Sequence, residues 1–460
     1  MIALTNRAFS TQNLIYGTIF TLALVLLILS TGSSTTTTTN YFPNKSSLHQ
    51  TPLFADSTDS TNKTNPLLTT EGINALVLEN AFPRASDRAD FVALRTQCRR
   101  TPWRKNVYIS CIHNAGDIVV ARNSVLNCIH FALSAGATGL MLPQVEVMSV
   151  TSSSAFKTRK YKEMGHFFDV SWFRNVMLAN CGNMMILDRI ENVPSYEYAT
   201  FPELVSLQKI MGGGAETRNT NGENFHHKFD EYIAGLSTQP SGKTPVIVRL
   251  DEQNAYGFKP SADEPHIANN FGYLAEFRQD LIALSNLVVD RLKQSLQNAA
   301  NSTSEITGAS EFIGVYFGPE ITSSAEQKSA LLEKFARATM ELASRYRIKL
   351  VYVGTSDDDA LKHIRNRAAE VGALVIDKRR MLTGNEKEYF DTLDLDQQSI
   401  VDYLVLLKAN RFLGSRQSPF SNQLILKRRV LTNETLDESG HGRDDMIGET
   451  EFREQDMLWQ

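Results

Sequence analysis

Leu350-Val351-Tyr352-Val353-Gly354-Thr355 is the stretch whose reading decides the fold. A β-branched and aromatic run of this length, stopped by glycine, predicts a buried strand of a parallel sheet. Ser356 follows as a helix N-cap, with Asp357, Asp358 and Asp359 at the positive end of a helix running to about Val371. Gly372 ends that helix, and Ala373–Ile376 predicts the next strand. Ser399–Lys408 is a second apolar helix with one acid, Asp402. Arg411-Phe412-Leu413-Gly414-Ser415 gives another short strand, and Ser418-Pro419-Phe420-Ser421 opens a further helix. Strands alternating with helices predict a parallel sheet, and such sheets bind ligands beyond the carboxyl ends of their strands. A helix N-terminus with hydroxyls and free amides suits a phosphate.

Upstream, Phe312–Glu320 predicts the opening strand of the same sheet. Gly272–Ala300 contains a long amphipathic helix with Phe277, Leu281, Leu284, Leu287, Val288 and Leu292 on its apolar face. The polar Asn298–Gly308 stretch after it reads as a surface loop. Thr244–Leu250 is a strand, and Val107–Ile112 and Leu140–Pro143 are two more. Between those last two, Gly116–Asn123 reads as a turn and Ser124–Ala135 as a helix that Asn123 or Ser124 can cap. Glu216–Lys228 is polar and irregular; its adjacent His226 and His227 face different ways and read as surface histidines, not a metal pair.

With 460 residues, 42% of them apolar, the chain is long enough for two domains of about 100–200 residues each. A net charge of −4 gives no reason to expect nucleic acid as a partner. Leu14–Leu29 carries no charge and follows Arg7, which predicts a single-pass type II membrane anchor and a lumenal body in the Golgi or endoplasmic reticulum. The rival is a cleaved signal peptide cut near Ser30–Ser34. Ser33–Thr70, rich in Ser, Thr, Asn and Pro, reads as a disordered stem. The expected division is therefore a tail and anchor (1–32), a stem (33–70), two domains (71–305 and 306–430) and a polar tail (431–460). Acceptor sequons at Asn44, Asn62, Asn301 and Asn433 agree with a lumenal body. Four cysteines, Cys98, Cys111, Cys128 and Cys181, allow three pairings, and Cys128 also reads as a plain buried thiol. No Gly-x-Ser-x-Gly elbow, P-loop or His-Glu-x-x-His occurs, which removes support for the common hydrolases and ATPases.

Asp402–Ser415, closed by Ser418-Pro419-Phe420 and then Arg428 or Arg429, resembles the C-terminal signature of the GDP-fucose O-fucosyltransferase-like proteins. The strand–turn–helix–strand unit from Val107 to Pro143 resembles the opening of the same family, and Phe167–Phe173 resembles its Phe-Asp-x-x-x-Phe segment. The resemblance implies two Rossmann-like α/β domains facing each other across a cleft, the GT-B arrangement. It implies an inverting transfer of fucose from GDP-fucose to a hydroxyl of a lumenal protein or glycan, with no metal or other cofactor. It also implies that Arg122 and Asn123 face the cleft, with an acid of the Asp357 turn. Asp402 would accept from the guanine edge, and Ser418 and Phe420 would meet phosphates and base. Glu320 matches the family's acid and is the candidate general base.

The family's His-x-Arg-x-Glu strand end reads Tyr316-Phe317-Gly318-Pro319-Glu320 here, so glycine stands where an arginine would clamp the diphosphate. Losing such a donor commonly costs on the order of 100- to 1,000-fold in rate. A catalytically inactive relative is therefore the rival reading. Arg416 is placed to substitute for the lost cation, or is a solvated loop charge. Pro419 stands where the family has a hydroxyl. Taken alone, Asp402 in an otherwise apolar helix needs a buried partner or a ligand, with Lys408 and Arg411 the nearby bases. The Asp357–Asp359 run reads either as a metal-holding carboxylate pair or as a helix start, and the dipole favours the helix start.

Overall fold

Two five-stranded sheets carry the chain, and their strands are apolar because helices and loops cover both faces of each. The computed structural model describes residues 89–111, 117–147, 160–202, 204–212, 222–251, 270–302, 311–318, 325–432 and 444–447. All of them lie in the second of two compact units, residues 64–460.

The strands are β1 (Arg104–Cys111), β2 (Ala137–Met141), β3 (Gln144–Val147), β4 (Lys160–Glu163), β5 (Met185–Leu187) and β6 (Val205–Ser206). They continue with β7 (Val246–Asp251), β8 (Ile313–Tyr316), β9 (Leu350–Gly354), β10 (Leu374–Ile376), β11 (Arg411–Ser415) and β12 (Asp444–Ile447). The helices are α1 (Val92–Arg100), α2 (Ile118–Ser134), α3 (Val170–Asn180), α4 (Leu207–Met211), α5 (Gly222–Ala234) and α6 (Gln279–Ser302). After them come α7 (Ala325–Tyr346), α8 (Asp358–Ala369), α9 (Lys378–Met381), α10 (Gly384–Thr392), α11 (Leu395–Leu406) and α12 (Pro419–Thr432).

The first sheet runs β5-β2-β1-β7-β6 and the second β10-β9-β8-β11-β12, with every pair parallel. The second has the order of a mononucleotide-binding half. The chain starts mid-sheet at β8, builds outward through β9 and β10, then crosses to β11 and β12 on the other side. In the first sheet β7 lies beside β1, and the two-residue β6 takes the edge. The order reverses between β1 and β7 in one sheet and between β8 and β11 in the other, and ligands gather at the carboxyl ends of such pairs.

Local chemistry places the helices. The Asp117 carboxylate accepts from the amides of Val119 and Val120 and starts α2, which is buried along almost its whole length. On the second sheet, α11 comes so close to β8 that a Cβ on Gly314 would lie 2.7 Å from Leu406 Cδ2 and 2.9 Å from Ala409 Cβ. One apolar cluster joins Val107, Val125, Phe131 and Val248 of the first half to Tyr352, Val405, Phe412 and Phe420 of the second. The other face of the second sheet buries Val315, Val351 and Val353 against Phe335 and Ile364.

Several boundaries differ from expectation. Asp357, not Ser356, caps α8 by accepting from the Ala360 amide. The Asp402 helix begins at Leu395, because Asp394 and Gln397 form a capping box there. Arg122 and Asn123 lie within α2 and not in a turn before it. The polar stretch around His226 becomes helical from Gly222, anchored by buried Phe225 and Phe229; the residues just before it lie outside the described ones. The helix read within Gly272–Ala300 starts at Gln279 and runs on to Ser302, so Asn301 is helical. Asp444–Ile447, within the expected polar tail, forms a strand beside β11. Cys128 is not a free thiol. It pairs with Cys111, fixing α2 to β1, while Cys98 pairs with Cys181 and joins the ends of α1 and α3.

No helix among the described residues is long and apolar enough to cross a membrane. Leu14–Leu29, the stem and the sequons at Asn44, Asn62 and Asn433 lie outside the described residues.

Candidate functional site

The carboxyl edge of the second sheet is built from the ends of β8 and β11 and the start of α12. Tyr316, the last residue of β8, stacks on Phe420 with ring centroids 3.8 Å apart and planes 9° from parallel. Tyr403 of α11 meets Phe420 edge-on at 5.5 Å, and Phe277 meets Tyr403 at 6.0 Å. Phe420 is thus fully enclosed, with Tyr316 holding the face that a base would need.

The turn between β11 and α12 is laced by hydroxyls. The Ser418 Oγ accepts from the Ser421 amide, the Ser415 Oγ from the Gln417 amide, and the Ser421 Oγ from the Ser415 amide. Gly414 allows this closeness, since a Cβ there would sit 2.6 Å from Ser421 Oγ. Arg416 is exposed; its amide donates to Ile447 and its carbonyl accepts from Asn422. Gly318 is buried just beyond β8.

Asp402 lies beneath this edge and is 2% exposed. One oxygen accepts from the Tyr352 hydroxyl at 2.7 Å, and the other is ion-paired with the Lys378 ammonium. Burial pushes the carboxyl pKa up, against Lys378 and Tyr352, which pull it down. Burial also raises Tyr352 well above the usual phenol value, with Asp402 adding to the shift. The partner is neither Lys408, which donates to Asn286, nor Arg411, which stacks on Tyr346. Lys378 stands 24 residues before Asp402, on the short α9, and no local spacing points to it. Both Asp402 oxygens are therefore engaged inside the protein.

Asp357 belongs to a separate place, the end of β9. Burial opposes its ionisation, but the Lys328 ammonium and the Ala360 amide outweigh that and lower its pKa. Arg428, one of the two basic residues expected to close the signature, is also consumed. It donates to the carbonyls of Leu406, Leu407 and Ala409 at the end of α11 and pairs with Asp444 of β12. Glu320 lies outside the described residues. Among the described residues, no three His, Cys, Asp or Glu side chains converge as a metal site.

Where α2 of the first half packs on α12 of the second, two cations meet. Arg122, 8% exposed, donates to the carbonyls of Ala275 (3.2 Å) and Gly272 (2.5 Å). Burial lowers its pKa, with Tyr403 and Glu276 opposing. The Lys427 Nζ stands 4.9 Å over the Tyr273 ring, and burial, helped by Arg122, pushes its pKa down to about 8. Lys427 escaped the sequence reading because a lysine eight residues into a helix looks like an ordinary surface charge. Asn123 is 2% exposed, and neither its Oδ1 nor its Nδ2 has a hydrogen-bond partner. A buried amide left unpaired costs about 1–3 kcal/mol, which a bound polar group recovers.

The structure therefore brings Ser418 and Phe420 to one edge of the second sheet. It sets Arg122 in the seam between the halves with Asn123 buried beside it on α2, places Arg416 exposed in the edge turn itself and Asp402 internally paired beneath it, and leaves Asp357 at the separate end of β9.

No protein-family model matches the chain, and no curated protein does. Among solved structures, POFUT1 in complex with GDP is similar at 11% identity, covering 71% of this chain and 95% of that one, with a TM-score of 0.36. POFUT1 in complex with GDP-fucose gives the same identity, coverage and TM-score. A mutant of Arabidopsis thaliana FUT1 in complex with GDP is 9% identical over 78% of this chain and 76% of that one, with a TM-score of 0.30. A likeness at these TM-scores decides neither fold nor chemistry, and the case rests on the chain's own geometry.

Proposed function

We propose that the chain is a glycosyltransferase of the fucosyltransferase-like type, moving fucose from GDP-fucose to a hydroxyl of a lumenal protein or glycan with inversion. In this reading it is held in the Golgi or endoplasmic reticulum membrane through Leu14–Leu29. One observation carries the proposal: strand order in the second sheet reverses at β8 and β11, and the serine turn opening α12 lies at that carboxyl edge. The serine hydroxyls of this turn have protons to donate to a diphosphate at the N-terminus of α12, although Pro419 has no amide hydrogen and the Ser421 amide is taken by Ser418 Oγ. The unpaired Asn123 amide adds a polar group in want of a partner. The acceptor hydroxyl would attack the sugar carbon as GDP leaves.

A second reading, a non-catalytic sugar-nucleotide-binding relative, is favoured by three residues. Gly318 offers no guanidinium, Asp402 has both oxygens engaged, and Phe420 is covered by Tyr316. Calorimetry with GDP, GDP-fucose and UDP, run beside a donor-hydrolysis assay, separates the readings. Selective guanine-nucleotide binding with slow hydrolysis supports the enzyme. Binding without turnover supports the relative, and silence towards all three nucleotides refutes both.

A further inference from the structure

The first sheet carries a charge that neither reading uses. Arg249 is the fourth residue of β7, near the carboxyl end of the strand pair where that sheet's order reverses. Its guanidinium has no ion pair and no hydrogen bond within the described protein, and its Nε is sealed from solvent without a partner. The residue is part-buried, not an open surface arginine.

In register beside it on β1 is Ser110, also part-buried, whose hydroxyl makes no hydrogen bond among the described residues. Residues paired in register on parallel strands point to the same face, with backbones about 4.8 Å apart. Two residues back along the strands stand Tyr108 and Ile247, and they pack with Val193 and with Met141, which lies level with Ser110 on β2, into an apolar floor. A cation and a hydroxyl thus stand at the carboxyl end of a hydrophobic floor.

We propose that Arg249 and Ser110 form an oxyanion subsite on the first sheet, one that binds a carboxylate or phosphate of the acceptor. The physical warrant is cost. Taking part of a guanidinium, its Nε included, out of water without counter-charge costs free energy, and some of that is recovered when an anion arrives. The sealed Nε leaves the two terminal nitrogens to donate end-on to an oxyanion, with the Ser110 hydroxyl donating a further hydrogen bond. The proposal gives the transferase reading an acidic acceptor, and it rests on that reading only for the word acceptor. The nucleotide edge belongs to the other sheet.

Calorimetry on the full chain with D-glucuronate and with inorganic phosphate tests it, on wild type, Arg249→Met, Arg249→Lys and Ser110→Ala. The expected result is saturable binding of one anion. That binding falls at least tenfold in Arg249→Met and Ser110→Ala, falls less in Arg249→Lys, and weakens with salt. Glucuronate as the preferred anion marks a carboxylate acceptor, and phosphate a phosphorylated one. GDP affinity should be unchanged in all three variants. Because no partner is lost, ligand-free Arg249→Met should melt at or above the wild-type temperature. The proposal is overturned if neither anion saturates, if Arg249→Met binds as wild type does, or if Arg249→Met melts well below it. Failure of GDP to bind while glucuronate still reports on Arg249 would instead sink the nucleotide reading and leave this subsite standing.

Discussion

Replacing Lys378 by methionine removes the ammonium that neutralises Asp402 while keeping most of the stem volume. Both side chains are nearly inaccessible, at 5% and 3% exposure, so water cannot take the place of the lost partner. Breaking a buried pair from one side typically costs about 3–5 kcal/mol, because the remaining charge is stranded. At about 2 °C per kcal/mol for a domain of this size, the melting temperature should fall by roughly 6–10 °C.

The pH dependence follows from the direction of the Asp402 shift. Its folded pKa already lies above the ordinary carboxylate value, so the folded state holds the proton more tightly than the unfolded state does. Stability from such a group is lost as pH rises from the unfolded value of about 3.9 through the folded one. Losing Lys378 moves the folded value higher still. The destabilisation should therefore be largest at neutral pH and shrink towards pH 4. Urea melts at about pH 7 and pH 4.5, on Lys378→Met, Asp402→Leu and the double variant, provide the assay. The double variant should recover most of the loss, since an apolar pair in place of a buried ion pair is often neutral or better. A loss under about 1 kcal/mol in Lys378→Met, or additive losses in the double variant, would refute the stranded-charge account. If Asp402→Asn folds well yet loses GDP affinity, Asp402 serves a ligand and not the frame.

Replacing Cys111 and Cys128 together by serine opens a 17-residue loop and should cost about 3 kcal/mol by denaturant melt. Lys427, with its pKa depressed to about 8, should be acylated at pH 8 faster than the exposed lysines, as read by peptide mass mapping. Its folded pKa lies below the unfolded value of about 10.4, so stability should rise with pH between the two, and Lys427→Met should flatten that slope. Gly414→Ala places a methyl against Ser421 and the Phe412 ring; overpacking of this kind costs about 1–3 kcal/mol, and a melt that matches wild type would show that the turn adjusts freely.

The second sheet was legible because its strands advertise themselves. Leu350–Gly354 and Arg411–Ser415 are short runs that end in a glycine or small-residue turn, and the structure puts strands on those residues. Asp444–Ile447 was not legible, since two acids open a four-residue strand held by partners distant in sequence, its neighbour β11 and Arg428. Asp402 shows the same limit for a site. An acid in an apolar helix announces that it needs a partner, yet which base reaches it depends on how α9 and α11 pack, and local spacing pointed to Lys408 and Arg411 instead. Phe420 was found as part of a motif. That Tyr316 covers its ring could not be read, because stacking across β8 and α12 is a matter of register between elements about 100 residues apart in the chain. Arg249 looked like one more residue of a strand, and only the absence of a partner among the described residues sets it apart.

The apolar cluster that runs from Val125 and Phe131 into Val405 and Phe420 bears on how this protein can move. Halves that meet through a wet, polar groove can swing open at small cost. Here a large rotation of one half would bring those side chains into water, so any ligand that binds at the sheet edges has to be admitted by loops and side chains there. For the same reason neither half should survive alone when expressed without the other, and heating should melt both in a single step.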